Sequence, residues 1–377
     1  MERALKTAVV GCGAISGIYL KNMTERFSIL EVVACCSEHG ESARQKAEQF
    51  GLKATTFEEI LADPSIELVV NLTPAPAHYD IVKRSLLAGK HVYTEKVLTP
   101  SFESSKELVE LAEEKGLYLG VAPDTFLGAP IQTAKAAIEQ GMIGQVTSCH
   151  VNLNRDLSAF YRPGSFGILP GGGIGFDVGI YYLTALLSIL GPVAQVGGIV
   201  RTEEPQRTVK NPLSPHYGET FTVENENMMM GVLNFKNGVL GTLHFTGCSI
   251  LPEAPRVMIY GTQGILSIPD PNCFDGTVMV QKRGTQTLEP IPYGYGYSTN
   301  SRGLGVAEMA WSIRKGRPHR ASGKMALHAV EVFEAITKSS SDGCFKKITT
   351  SFEIPKSLPA GYLDNYFRQN PEIALID

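Results

Sequence analysis

Nothing in this sequence runs apolar for the roughly 18 residues that a membrane-spanning helix needs. The longest such stretch, Tyr181–Leu190, is about half that length. There is no long basic run, and the formal net charge is -4. A nucleic-acid partner, which wants a basic stripe, is therefore not expected. The start, Met1–Lys6, has neither the apolar core nor the small-residue cleavage site of a secretory signal, so a cytoplasmic location is expected. Cysteine spacing of the CxxC kind is missing as well. Cys12, Cys35, Cys36, Cys149, Cys248, Cys273 and Cys344 are odd in number and scattered, which argues against a disulfide framework. Without a spaced Cys/His cluster no metal is expected either. Internal repeats and low-complexity tracts are absent.

What is present suits a globular chain with more than one core. It has 377 residues, 43% of them apolar and 19% charged. The first third alternates strand-like and helical segments. Strands are read at Thr7–Val10, Glu31–Cys36, Glu67–Leu72, His91–Thr94 and Tyr118–Val121. The helices between them are Ala14–Glu25, Glu41–Phe50, Ala77–Ala88 and Phe102–Lys115. That alternation predicts a doubly wound parallel sheet over residues 1–123. The pattern changes near Pro123. A helix over Phe126–Gln140, a strand over Gly144–Leu153 and a helical run Phe176–Leu190 follow. Met228–Phe235 and Val239–Phe245 flank Asn237-Gly238, a hairpin signal. Strands Arg256–Tyr260 and Gly264–Ser267 come next, then helices Gly303–Arg314 and Lys324–Ser339. Residues 124–377 are expected to form a second α/β domain, with a large, open, mainly antiparallel sheet carrying helices on one face. The other face is free to join subunits.

The first strand runs into Gly11-Cys12-Gly13-Ala14-Ile15-Ser16-Gly17. Gly11 permits a tight turn, and Gly13 lets the backbone approach a pyrophosphate. The helix start at Ala14, Ile15 and Ser16 then presents free N–H groups to the anion. This context makes the segment a dinucleotide-binding Rossmann turn, with Ser16 at the third, close-packing position. The second strand ends at Ser37-Glu38. Glu38 would repel a 2′-phosphate and no Arg follows at once, so NAD is the expected cofactor. Ser37 accommodates either a ribose hydroxyl or a 2′-phosphate, which leaves NADP open.

Two further motifs accompany the turn, Asn71-Leu72-Thr73-Pro74-Ala75-Pro76-Ala77-His78 and Gly89-Lys90-His91-Val92-Tyr93-Thr94-Glu95-Lys96. Asp177-Val178-Gly179-Ile180-Tyr181 lies downstream. Together they resemble the Gfo/Idh/MocA oxidoreductases, over nearly the whole chain. The resemblance implies hydride transfer with sugars, cyclitols or related polyols, in a homodimer or homotetramer packed through the second sheet. It also implies that Thr73, Pro74 and His78 lie along the cofactor, that Glu95 and Lys96 lie at the nicotinamide, and that Asp177 and Tyr181 face the substrate. Tyr181, where members commonly carry His, is similar to the branch of glucose–fructose oxidoreductase and the dihydrodiol dehydrogenases. The stretches Ala122–Gly128 and Asn300–Gly303 resemble a branch linked to oxidation of glycosides to 3-keto sugars. Val97 stands where the family usually has Pro.

The chemistry agrees with these placements. Alcohol oxidation needs a bound nicotinamide, a group that takes the hydroxyl proton, and donors that hold the carbinol oxygen. Lys96 lies just past a parallel strand, where open α/β sheets bind ligands, and its ammonium can stabilise alkoxide charge. Asp177 and Tyr181 are four apart in a helical run and so share a face. A nearby cation such as Lys96 is expected to lower the Tyr181 pKa. Asp124, Asn154, Arg155, Tyr161 and Arg162 are further candidates for holding the substrate. Two other functions fit the same architecture. One is glycoside cleavage through transient oxidation by a retained NAD, and the other is a non-catalytic nucleotide or sugar sensor.

Overall fold

A computed structural model describes residues 3–249 and 257–359. Arg256, the first residue of one expected strand, and residues 360–377 of the expected second domain lie outside the described residues.

The first sheet has six parallel strands: β1 (Leu5–Val10), β2 (Leu30–Cys36), β3 (Lys53–Ala54), β4 (Leu68–Asn71), β5 (His91–Thr94) and β6 (Leu119–Val121). Their order is β3-β2-β1-β4-β5-β6. Both faces are covered by α1 (Ser16–Glu25), α2 (Gly40–Phe50), α3 (Phe57–Ala62), α4 (His78–Leu87) and α5 (Phe102–Glu114). The strands are accordingly apolar along their length. Leu5, Val9 and Val70 pack toward Tyr19, Leu20 and Met23 of α1, while Ala8, Val10 and Val69 join Ile60 and Ile66 on the opposite face. Cys35 and Cys36 are core residues, as free cysteines in an apolar strand usually are. The strand order reverses between β1 and β4, and ligands of such sheets bind at that crevice.

Beyond β6 come α6 (Ala129–Glu139), β7 (Val146–Asn154), α7 (Leu157–Phe160), α8 (Ile180–Leu190) and β8 (Val193–Arg201). A two-stranded ribbon of β9 (Gln206–Thr208) and β10 (Thr220–Thr222) follows. Then come β11 (Met228–Phe235), β12 (Leu240–Thr246), β13 (Val257–Gly261), β14 (Gly264–Ile268), β15 (Met279–Lys282) and β16 (Glu289–Pro290). Helices α9 (Leu304–Lys315) and α10 (Gly323–Asp342) and strand β17 (Lys346–Lys347) end the described fold. The second sheet has nine strands in the order β16-β15-β14-β13-β7-β12-β11-β8-β17. Every pairing in it is antiparallel except β7 with β12.

The expected hairpin forms at Asn237-Gly238. Gly238 takes φ +87°, and Phe235 N–H reaches Val239 O at 2.9 Å. The strands alternate buried and open residues. Met229, Leu233 and Phe235 face the helices, while Ile199, Val232 and Leu240 are exposed on the outer face. Residues 300–325 return to the first domain. The pair Gly120 and Ser322 forms a bridge at the β6 edge, and Arg314 of α9 binds Glu67 through two contacts of 2.9 Å.

Candidate active site

The glycine turn explains itself through space. Gly11 adopts φ +99°, and a Cβ there would lie 2.7 Å from the Leu72 carbonyl carbon and the Thr73 nitrogen. A Cβ on Gly13 would meet nothing within 4 Å. Gly13 and Ala14 are exposed, and α1 begins without a side-chain cap, so its first N–H groups are open to an anion. The residues present therefore fit a dinucleotide pyrophosphate. Ser16 is buried and its hydroxyl donates to Gly13 O at 2.7 Å, which closes the turn instead of facing the crevice. Ser37 is half-buried and Glu38 exposed at the end of β2. Thr73 is half-buried and Pro74 exposed at the end of β4.

Two expected cofactor contacts are placed differently. His78 has no exposed surface; its Nδ1 lies 2.7 Å from Val97 O and its Nε2 2.8 Å from Thr73 O. It ties two loops together behind the crevice, where burial lowers its pKa despite the two carbonyls. Glu95 is also buried. It accepts from the Tyr19 hydroxyl at 2.7 Å and from the Lys96 N–H at 3.0 Å, so it holds the loop that carries Lys96. The Lys96–Val97 peptide is cis, as is Ala122–Pro123.

Lys96 leaves the carboxyl end of β5 and meets the second domain. Its ammonium donates to Asp177 Oδ1 and to Asp177 O, both at 2.6 Å, and stands 5.6 Å from the Tyr181 ring centre. Burial opposes the charge on Lys96, but Asp177 and then Tyr181 outweigh it and hold its pKa above the ordinary value. Burial likewise disfavours the Asp177 carboxylate, yet Lys96 outweighs it and keeps the group ionised below the usual range. Asp177 also accepts a short hydrogen bond from the Tyr161 hydroxyl.

The helical run bearing Asp177 and Tyr181 is not uniform. Gly175–Gly179 forms a π-helical turn that leads into α8, and such widened turns recur at functional sites. Tyr181 departs from expectation in its electrostatics. Burial is the largest influence and raises its pKa, with Lys96 and Arg302 only partly offsetting it. Lys96 is aligned with the ring, and Arg302 is the second cation acting on the phenol.

A cavity of about 200 Å³ opens here, lined by Lys96, Arg155, Tyr161, Asp177, Tyr181 and Asn272, with Phe160 on its wall. Three expected substrate residues fall outside this lining. Asp124 is 1% exposed and its Oδ2 accepts from the N–H groups of Gly303 (2.9 Å) and Gly305 (3.0 Å) at the start of α9. Burial pushes its pKa up to about 6. Asn154 pairs with Thr246 inside the second sheet, and Arg162 lies on an exposed loop. In their place the fold brings Asn272 into the lining, with Arg302 bonded to it. Arg302 donates to Asn272 O (3.1 Å) and Oδ1 (3.0 Å), immediately before the helix that Asp124 anchors. Arg302 lies in the stretch Asn300–Gly303, which the sequence marked only through its resemblance to one branch of the family; Asn272 carried no signal.

Residues 5–122 match the family profile described as an oxidoreductase family with an NAD-binding Rossmann fold, and residues 131–267 match the C-terminal domain of the same family. An uncharacterised oxidoreductase of Schizosaccharomyces pombe is 35% identical over 197 residues, covering 50% of this chain and 52% of the relative. The chain thus aligns with about half the length of that relative. The scyllo-inositol 2-dehydrogenase (NAD(+)) of Bacillus subtilis is 27% identical over 71% of this chain and 75% of its own. A solved levoglucosan dehydrogenase, in complex with NADH and L-sorbose, shares the fold with a TM-score of 0.80 at 20% identity, over 92% of this chain and 99% of that one. With both domains matched, the chain belongs to the GFO/IDH/MocA oxidoreductase family.

Proposed function

We propose that this chain moves a hydride between a nicotinamide cofactor and a secondary hydroxyl or ketone of a sugar, glycoside or cyclitol. The observation that carries this reading is the meeting of Lys96, Asp177 and Tyr181 in one cavity past the carboxyl end of β5, the same sheet edge at which the open glycine turn follows β1. An ammonium has three N–H bonds. Asp177 takes two from Lys96, and the third is left to hold a carbinol oxygen as charge develops on it. Tyr181 exchanges the hydroxyl proton, with Lys96 and Arg302 as the cations that act on its phenol. Asp177 keeps Lys96 charged and in place, while Arg155, Tyr161 and Asn272 offer polar contacts to the remaining hydroxyls. Gly13, Ala14, Ile15, Ser37, Glu38, Thr73 and Pro74 would hold the cofactor, which supplies or accepts the hydride when bound. The carboxylate of Glu38 favours NAD over NADP.

The relatives support the same class, one being a scyllo-inositol 2-dehydrogenase and a like-folded protein a levoglucosan dehydrogenase. The outer face of the nine-stranded sheet, with Ile199, Val232 and Leu240 exposed, suits pairing of subunits in a homodimer or homotetramer. A cytoplasmic location accords with this reading. The test is a panel of sugars, glycosides and cyclitols incubated with NAD or NADP while reduced cofactor is followed by absorbance, and the matching ketones in the other direction. Cofactor binding without turnover on any member, in either direction, would overturn the proposal.

A further inference from the structure

The stretch before the π-helical turn is Gly171-Gly172-Gly173, and two of its glycines take positive φ, +84° at Gly171 and +100° at Gly173. Its seat is the segment just before β11. Glu224 N–H donates to Ile168 O (2.8 Å), and Asn225 Nδ2 donates to Gly167 O (3.1 Å) and Leu169 O (2.6 Å). Ile174 N–H donates to Glu226 O at 3.1 Å. The side chain of Glu226 fills the space where Gly173 lacks one: a Cβ on Gly173 would collide with Glu226 Oε1, Cδ and Oε2. Gly173 O in turn accepts the N–H of Asp177 at 3.0 Å. The carboxyl group therefore sits one hydrogen bond away from the residue that holds Lys96.

Glu226 Oε1 is sealed from solvent and has no hydrogen-bond partner among the protein's atoms. With one of its oxygens buried and unpaired, the ionised carboxylate is disfavoured relative to the neutral acid. We propose that Glu226 is a positioning residue, which as a neutral acid seats Gly173 and the Asp177 turn, and on ionising unseats them. This rests on the reading that Asp177 belongs to the catalytic cavity. Burial pushes the Glu226 pKa up to about 7, and the sole opposing influence is its own backbone N–H. Charged groups on the flanking elements are engaged elsewhere or face solvent. Arg201 is paired with Glu203 at 3.3 Å, Glu224 is exposed, Lys96 is paired with Asp177, and Glu334 of α10 binds the Phe102 N–H and Lys338. Because the folded pKa is raised, the stabilisation of the seated form is complete below about pH 4.5 and is lost progressively as pH rises from there through about 7.

Hydrogen exchange of the substrate-free protein tests this, read over residues 166–178 and corrected for intrinsic rates. In the native protein, protection there should fall by about tenfold per pH unit between about 4.5 and about 7 and level off above that. In Glu226→Gln, a neutral isostere, it should stay level, and kcat/KM should lose the fall that accompanies rising pH up to about 7 while KM for NADH is unmoved. Native protection in 166–178 that stays constant from about pH 5 to about pH 7 would overturn the proposal, whether or not the variant folds. This readout needs no turnover. A loosened loop in a protein inactive on every substrate would leave the seat standing and sink the catalytic reading.

Discussion

The contact between Lys96 and Asp177 joins residues 81 apart in sequence and spans the two domains, so its removal has a predictable size. Both side chains are 18% exposed and their charged atoms are 2.6 Å apart. Removing one member of a buried pair costs about 3–5 kcal/mol, because the other charge is left uncompensated. Partial exposure, and the Asp177 carbonyl that still accepts from Lys96, place Asp177→Asn at the lower end, about 3 kcal/mol. At roughly 2–4 °C per kcal/mol for a domain of this size, the melting temperature should fall by about 6–12 °C. Lys96→Met should cost a similar amount. The double variant Lys96→Met/Asp177→Asn should lose clearly less than the sum, since it leaves no stranded charge.

The pH dependence has a fixed sign. The depressed pKa of Asp177 gives a contribution that is complete above about pH 4 and lost as pH falls through the lower folded value. The raised pKa of Lys96 gives one that is complete below about pH 10.5 and lost as pH rises through the higher folded value. Thermal and urea unfolding of the three variants at neutral pH, with NADH binding as a check on the nucleotide domain, decide the matter. Strictly additive losses in the double variant would refute the pair as a coupled unit.

Three more outcomes follow from the geometry. Tyr181→Phe should lower turnover by about 100- to 10,000-fold with NADH affinity largely kept, as measured by steady-state kinetics beside fluorescence titration. Gly13→Val should abolish NADH binding in a protein that melts normally, while Gly11→Ala should lower the melting temperature, because its Cβ would press on the Leu72–Thr73 backbone; calorimetry separates the two. NAD should bind more tightly than NADP, and exchanging Glu38 for Gln should narrow the gap in the same titrations, since it removes the charge that repels a 2′-phosphate.

Much of the first domain could be read directly because its strands are buried on both faces and separated by amphipathic helices. The strands found at β1, β2, β4, β5 and β6 lie within two residues of the expected ends. The same reading missed β3 and α3, whose two and six residues are too short to show a period. In the second domain it missed β8, because Gly197-Gly198 interrupts the strand pattern. Those glycines are demanded by packing: a Cβ on Gly198 would press on Met230 O and on Ile336 of α10. At the site, Lys96, Asp177 and Tyr181 were visible through their motifs. Their electrostatics were not, because the rise of the Tyr181 pKa depends on burial, which composition does not reveal. Asp124 looked like a ligand contact because polar residues just past strand ends usually face the crevice, and His78 because of the motif it belongs to. Here their partners are backbone groups at α9 and at the two loops, contacts set by distant chain segments. Arg302 is the converse case, since 121 residues separate it from Tyr181.

The return of residues 300–325 to the first domain bears on how this chain can be cut. Strand β6 would be an open edge if the chain ended at residue 123. In the intact fold Val121 N–H reaches Ala321 O at 2.9 Å, and Gly120 pairs with Ser322. Met309 of α9 closes over Gly120 beside Tyr93, so tightly that a Cβ on Gly120 would lie 2.7 Å from its sulfur. A fragment holding the first domain alone would therefore bare a strand's worth of unpaired backbone and the apolar patch beneath α9. Such an edge recruits other chains. The nucleotide half of this protein is a domain by architecture, but it is stitched shut by the last quarter of its own polypeptide. A functional excision would have to carry that stitch along, for instance by fusing residues 300–325 behind β6 through a short linker.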